Sequence, residues 1–429
     1  MKKILIILLV FSHSVKAENH LQFFIDAALK NNLKLNAERK NKKSIEQNVN
    51  ISRSEFLPNI SISGNQSSSN STNKTDHGGS NVSDSNLDTE TKTISVDQKV
   101  FQGFKGINLL KKSELEVKKA NLKLNKVEQQ TILNTVSAYY DYVFKVKNRE
   151  FNLSNVNLFE RQVESDNARM QKGEITLTDL AQSESSLAGA NANLIKAQTE
   201  LVASKTNFER IIRKKVPKNI NTEERISVNL PGSLTSAIDT AKLNNPDLLI
   251  AKLDFQISEK ELSIEKAKLS PSASINYSKS ENKDFSSTID ELDQETVKAT
   301  ITWPIIKGGE NISSIKKSSL KKDRSRLLSD DAEDKVVTET TNAWSKYQSS
   351  ESVLTATEAQ LKAAEIANEG ITLEYDSGNT RTTLEVIQSR SLLLSSRIDF
   401  AKAERDFVIS KFELALQIGT LSVSSINPL

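Results

Sequence analysis

Ala28-Leu29-Lys30-Asn31-Asn32 leads, 26 residues beyond Asn32, to Leu57-Pro58, and Ala241-Lys242-Leu243-Asn244-Asn245 leads over the same interval to Ser270-Pro271. Two more echoes follow. Ala138-Tyr139-Tyr140 with Tyr142 returns as Ala343-Trp344-Ser345 with Tyr347 at an offset of 205. Thr178-Asp179-Leu180-Ala181-Gln182-Ser183 faces Leu384-Glu385-Val386-Ile387-Gln388-Ser389 at an offset of 206. The chain is therefore a duplication, and its repeated unit is long helix, short strand pair, long helix; a duplicated chain builds a pseudo-symmetric object.

Proline placement shows where the helices run. The seven prolines stand at 58, 217, 231, 246, 271, 304 and 428, which leaves Asn59 to Val216 and Ile305 to Asn427 free of them. Proline interrupts helices, so these gaps permit long ones. Between Phe104 and Lys172 two apolar rows recur at heptad spacing. Leu115, Leu122, Val136 and Val143 form one, interrupted by Gln129; Leu110, Val117 and Leu124 form the other, continued by Thr131 and Ala138. Two stripes imply helix neighbours on two sides, as in a ring of packed helices, and such a helix extends roughly 100 Å at about 1.5 Å per residue. The Ala/Ser-rich face from Ala181 to Ala203 lets backbones approach closely.

The strand pairs carry a period of two. Ile60 and Ile62 alternate with Ser61 and Ser63; a polar tract runs from Gln66 to Thr91, and Ile94-Ser95-Val96 follows. The second repeat offers Ala273 to Tyr277 and then Val297 to Trp303. Such alternation gives one apolar and one polar face, as a membrane barrel requires, and about nine to eleven residues span a bilayer as tilted strand. It equally fits two soluble hairpins capping helices; the export signal described next and the duplication favour the barrel. Phe56, Phe101, Phe104 and Trp303 gather where strands meet helices, the place of an aromatic girdle. Four strands cannot close a barrel, and lipid does not tolerate an open edge. The missing strands must come from other copies; three would give twelve, although the sequence does not set the number.

Residues 1–17 form an expected secretory signal peptide: Lys2-Lys3, an apolar run from Ile4 to Phe11, and Val15-Lys16-Ala17 before the cut. Beyond it no run approaches the roughly 18 apolar residues of a membrane helix. The exported chain carries 55 basic and 55 acidic residues, and this neutrality argues against nucleic acid as a partner. Cysteine is absent, so there is no disulfide or thiol chemistry. Exported protein keeps only His20 and His77, which leaves no metal or nucleophile constellation, and no cofactor is expected. An enzyme is not expected. His77-Gly78-Gly79 reads as flexible loop, and the lysine pairs 111–112, 316–317 and 321–322 as solvated helix faces.

Taken together these motifs resemble the TolC-like outer membrane efflux and secretion channels, over nearly the whole exported chain. The resemblance is carried by the duplicated Asn-Asn, Leu57-Pro58 and Ser270-Pro271 before the first strands, and by Val100-Phe101-Gln102-Gly103 and Trp303 to Gly309 after the second. Tyr139-Tyr140, Tyr375 with Gly378 to Thr382, and Ile418-Gly419 complete it. It implies a trimer with a 12-stranded β-barrel in the outer membrane, continuous with a long α-helical barrel in the periplasm, and partners comprising an inner-membrane pump, a periplasmic adaptor (membrane fusion protein) and outer membrane lipid. The expected layout is repeat one at 18–212, with strands near 57–66 and 92–101, and a linker at 213–232. Repeat two follows at 233–419, with strands near 271–279 and 296–305, then a tail at 420–429. Arg213 departs from the glycine expected opposite Gly419, and the short tail leaves little material for a belt around the helices.

The expected functional region is the pair of helix turns. Gly173 and Gly378 suit the left-handed position that ends a helix, and Thr176 with Asp179, and Thr382 with Glu385, stand at capping-box spacing. These acids could simply be caps. The family resemblance implies instead a periplasmic gate: Glu385 matches the first member of an acidic ring, with Gln388 in place of the second acid. Thr178, Asp179, Tyr375 and Arg381 match links that hold the entrance shut. An Arg381–Asp179 latch is the expected form, since a guanidinium binds a carboxylate in bidentate fashion and a phenol can donate to the same acid; an ordinary surface ion pair is the plain alternative. Two other readings are a periplasmic adaptor, which would need compact β domains around one hairpin, and a structural coiled-coil envelope protein, which would explain the heptads alone. Cargo, whether drugs or proteins, is not legible.

Overall fold

The computed structural model describes residues 21–71, 85–217, 220, 222, 226–286, 288–377 and 381–428. The signal peptide, His20, His77-Gly78-Gly79 and Gly378 lie outside the described residues. The duplication is kept element by element. Helices α1 (Leu21–Asn31) and α2 (Leu33–Ser54) precede strands β1 (Asn59–Ser71) and β2 (Ser85–Gln102), then α3 (Lys105–Gln171) and α4 (Leu177–Ile212). After β3 (Ile226–Val228), α5 (Leu234–Asn244) and α6 (Pro246–Ala267) precede β4 (Ser272–Ser286) and β5 (Ile289–Thr302), then α7 (Glu310–Asp376) and α8 (Thr383–Gln417). A short 3₁₀ turn, Val423–Ser425, leads into β6 (Ile426–Pro428). Both members of each counterpart pair α1/α5, α2/α6 and α3/α7 have 11, 22 and 67 residues. The strands run longer than the expected spans because the Ser/Asn/Thr tract continues the ladder: Gln66 still faces Glu90 and Ser71 faces Ser85.

The chain forms two compact units. One unit holds residues 40–71, 85–123, 249–286 and 288–332 of the described chain. Its sheet has the order β1-β2-β4-β5, antiparallel throughout, so strands from the two repeats meet at the centre, with Val96 opposite Tyr277. The pleat places Ile60, Ile62, Ile94, Val96, Ile275, Tyr277, Val297 and Ile301 on one face. Ile62 and Ile301 are each 79% exposed, an apolar surface that water does not favour. The opposite face is polar: Ser61 and Ser95 hydroxyls meet at 2.8 Å, and Asn276 Nδ2 donates to Asp97 Oδ1 at 2.7 Å. The register shift between Lys99 and Phe101 leaves Val100 as an extra residue and returns Phe101 to the apolar face opposite Ala273. Phe101 packs edge-on against Phe104, at 5.6 Å between ring centres, and Trp303 Nε1 donates to Leu269 O at 3.1 Å. Among the described residues no helix is long and apolar enough to cross a membrane.

The other unit holds residues 21–39, 124–248 and 333–428 of the described chain. Its core joins Phe24 of α1, Tyr139 and Val143 of α3, Phe208 and Ile212 of α4, and Phe412 of α8. Phe208 lies 5.1 Å from Phe24 and 5.9 Å from Tyr139, ring centre to ring centre; burying each such ring stabilises the unit by about 2–3 kcal/mol. Gln129, which interrupts the heptad row, is buried and donates to Gly419 O at 3.1 Å. Ser183, Ala190, Ala197 and Ser204 are buried along α4, and Ser389, Ser396, Ala403 and Ser410 along α8, both at seven-residue intervals. These matched small-residue stripes are the close-approach seams of the helix pairs. Strands β3 and β6 pair antiparallel, so the inter-repeat linker and the tail form one short ribbon.

Candidate functional site at the two helix turns

The α3–α4 turn is built by Gly173, whose φ of +77° is the left-handed value that closes a helix. Gly173 N donates to Met170 O at 2.9 Å and Glu174 N to Arg169 O at 2.9 Å, the Schellman pair. Thr176 then starts α4. Its hydroxyl accepts from Asp179 N at 3.2 Å, while Asp179 Oδ2 accepts from Thr176 N at 3.0 Å and from the same hydroxyl at 2.7 Å. The Thr176 bonds hold the Asp179 carboxyl below the usual carboxylate range. Before α8 the geometry repeats: Glu385 N donates to Thr382 Oγ1 at 3.3 Å, and Thr382 N to Glu385 Oε2 at 2.8 Å. The Thr382 backbone donor, helped by Arg381, lowers the Glu385 pKa in the same sense.

The links between the turns differ from the expected ones. Within the chain Arg381 does not reach Asp179. Its Nε donates to Glu374 Oε2 at 2.6 Å and its Nη1 to Glu385 Oε1 at 3.0 Å, because both acids lie on the flanking ends of its own hairpin. Asp179 is occupied by its cap. Tyr375 is buried, and its hydroxyl donates at 2.7 Å to Asp166 of α3 rather than to Asp179. Burial pushes the phenol above its ordinary pKa, so it stays a donor. Thr178 is exposed in the first turn of α4, and Gln388 is exposed in the second turn of α8.

Sequence reasoning missed Asp166 and its surroundings. The signal was available: Asn152, Val156, Phe159, Gln162 and Asp166 recur at helical spacing, and all are buried, so an acid continues the inward face of α3. Among the described residues no group of His, Cys, Asp and Glu could hold a metal.

Two 67-residue helices, their return helices and a four-stranded sheet with two open edges make up a duplicated subunit. The family model for outer membrane efflux proteins matches residues 24–212 and 237–420, and the chain belongs to that family. The chain is 27% identical over 405 residues to the outer membrane efflux protein BepC of Brucella suis, covering 93% of this chain and 85% of the relative. It is 22% identical to TolC of Escherichia coli, covering 98% and 87%. It is also 19% identical to the alkaline protease secretion protein AprF of Pseudomonas aeruginosa, covering 80% and 72%. Its fold matches the Campylobacter jejuni CmeC channel with a TM-score of 0.82 at 15% identity, covering 94% of this chain and 87% of that one. The Vibrio cholerae VceC protein matches with a TM-score of 0.78 at 15% identity, covering 93% and 96%. The protein is thus an outer membrane channel of the efflux protein family that extends into the periplasm; it is not an enzyme, and the adaptor reading has no support. Channels of this family work with partner pumps and adaptors, and are typically trimers.

Proposed function

We propose that three copies of this chain close their sheets into one 12-stranded barrel in outer membrane lipid and bind a periplasmic adaptor and an inner-membrane pump, moving cargo past a gate. One observation carries the assembly. A four-stranded sheet with an apolar face leaves the outer edges of β1 and β5 unpaired, and in lipid every such edge must find a partner. The order β1-β2-β4-β5 puts the free edges in strands of opposite direction, so β5 of one copy can pair antiparallel with β1 of the next. The chain has no native thiols, so cysteines placed singly along β1 and β5 report this directly. Oxidised pairs should give a covalent trimer in outer membrane fractions; a ladder that stops at dimers, or no cross-link at any register, refutes the ring.

The gate of this assembly comprises Thr178, Asp179, Tyr375, Arg381, Glu385 and Gln388. Support comes from the matching turns, the exposed Arg381–Glu374–Glu385 cluster and the exposed Gln388. BepC is named for efflux and AprF for alkaline protease secretion; either cargo class suits the same scaffold. Deleting the chain and comparing drug tolerance with the secreted proteome distinguishes them.

A further inference from the structure

Asp166 is fully buried, yet its carboxylate is met by donors from three elements. Tyr375 of α7 donates at 2.7 Å, Ser183 of α4 at 2.5 Å, and Gln162, one turn back on α3, at 2.9 Å. Thr383, the first residue of α8, stands 3.0 Å from the Tyr375 hydroxyl. Arg169 covers the Tyr375 ring at 4.5 Å, and Arg390 of α8 donates to Leu158 O of α3 at 3.2 Å. Three of the long helices therefore bond to one acid directly, and α8 joins them through Thr383 at the Tyr375 hydroxyl. Among the described residues, the α7–α8 hairpin is hydrogen-bonded to α3 beyond residue 150 by the Tyr375–Asp166 and Arg390–Leu158 bonds.

A buried carboxylate is costly beside a packed apolar residue, so stability alone does not explain it. What it adds is geometry. Charge-assisted bonds are short and directional, and this acid is satisfied only when the α7–α8 hairpin lies in one position against the α3–α4 hairpin. A shift that removes the phenol leaves a buried acceptor short of a donor until water enters. The joint is therefore either made or broken, as a two-state element requires.

We infer that Asp166 is the acceptor that clasps the two hairpins, and so the positioning residue for the entrance, ahead of the turn acid Asp179. This rests on the gate reading above. The test is single-channel recording of the trimer in planar bilayers, with Asp166→Asn, Tyr375→Phe and Asp179→Asn compared with the parent. Asp166→Asn and Tyr375→Phe should each raise conductance several-fold at unchanged trimer content on gels, and by more than Asp179→Asn. Parent-level conductance in both, or a larger rise in Asp179→Asn, overturns the inference. Should Asp166→Asn fail to assemble, Tyr375→Phe, which removes one hydroxyl, decides alone. A parent chain that forms no pores instead removes the channel-gate reading itself.

Discussion

Arg213 and Gly419 hold the same left-handed backbone conformation just past the ends of α4 and α8, with φ of +56° and +75°. Their surroundings differ. A Cβ on Gly419 would lie 2.3 Å from Asn244 O, in the second copy of the duplicated Asn-Asn. The first repeat holds an arginine in the same conformation. We expect Gly419→Ala to destabilise the helical unit by roughly 2–4 kcal/mol, backbone strain and overpacking together. Arg213→Gly, which only relieves the left-handed penalty, should stabilise it by about 0.5–1 kcal/mol. Thermal denaturation followed by circular dichroism checks both signs.

The capping boxes make the turns acid-sensitive. Asp179 and Glu385 both have depressed folded-state pKa values, so their contribution is fully present above the unfolded values, about 3.9 and 4.3. It is lost as pH falls through the lower folded values. Hydrogen-exchange protection factors, corrected for the intrinsic pH dependence of exchange, should therefore be unchanged from pH 7 to pH 5 in the first turns of α4 and α8 and fall only below about pH 4. Thr176→Ala and Thr382→Ala should each remove about 1 kcal/mol of local protection at neutral pH. Protection already lost near pH 6 would contradict this assignment.

The two faces of β5 should respond oppositely to charge. Val297 and Ile301 lie on the exposed apolar face, with Thr300 between them on the other. Val297→Lys should cost roughly 2–4 kcal/mol in the bilayer, whereas Thr300→Lys on the polar face should be tolerated. Yield of heat-modifiable trimers in outer membrane fractions measures the difference.

Arg381 neutralises two acids, Glu374 and Glu385, on an exposed surface. Its replacement by serine should raise single-channel conductance and shift ion preference towards cations, read as reversal potential in a salt gradient. An unchanged reversal potential would place this cluster away from the ion path.

The fold was legible because its information is periodic. Heptad rows, proline-free spans and Ile/Ser alternation each state a local geometry, and the duplication repeats it. Strand ends were less legible: the Ser/Asn tract beyond Ile62 carries no apolar alternation, yet backbone pairing extends it to Ser71. The caps at Thr176 and Thr382 could be read from spacing, since they are local. The Tyr375–Asp166 bond could not, because it joins residues 209 apart, and nothing near either names the other. Arg381 could be singled out as a gate cation, but the nearby Glu374 and Glu385 outcompete Asp179 within the chain.

Pairing of β2 with β4 has an evolutionary consequence. A primordial chain with one unit would have brought a single hairpin, and the same closed wall would have needed twice as many identical chains. Once two units were fused, alternate joints in the wall became internal to a polypeptide while the rest stayed between molecules. Selection could then alter one kind of joint without disturbing the other, and an arginine could settle at one helix end while its twin kept glycine.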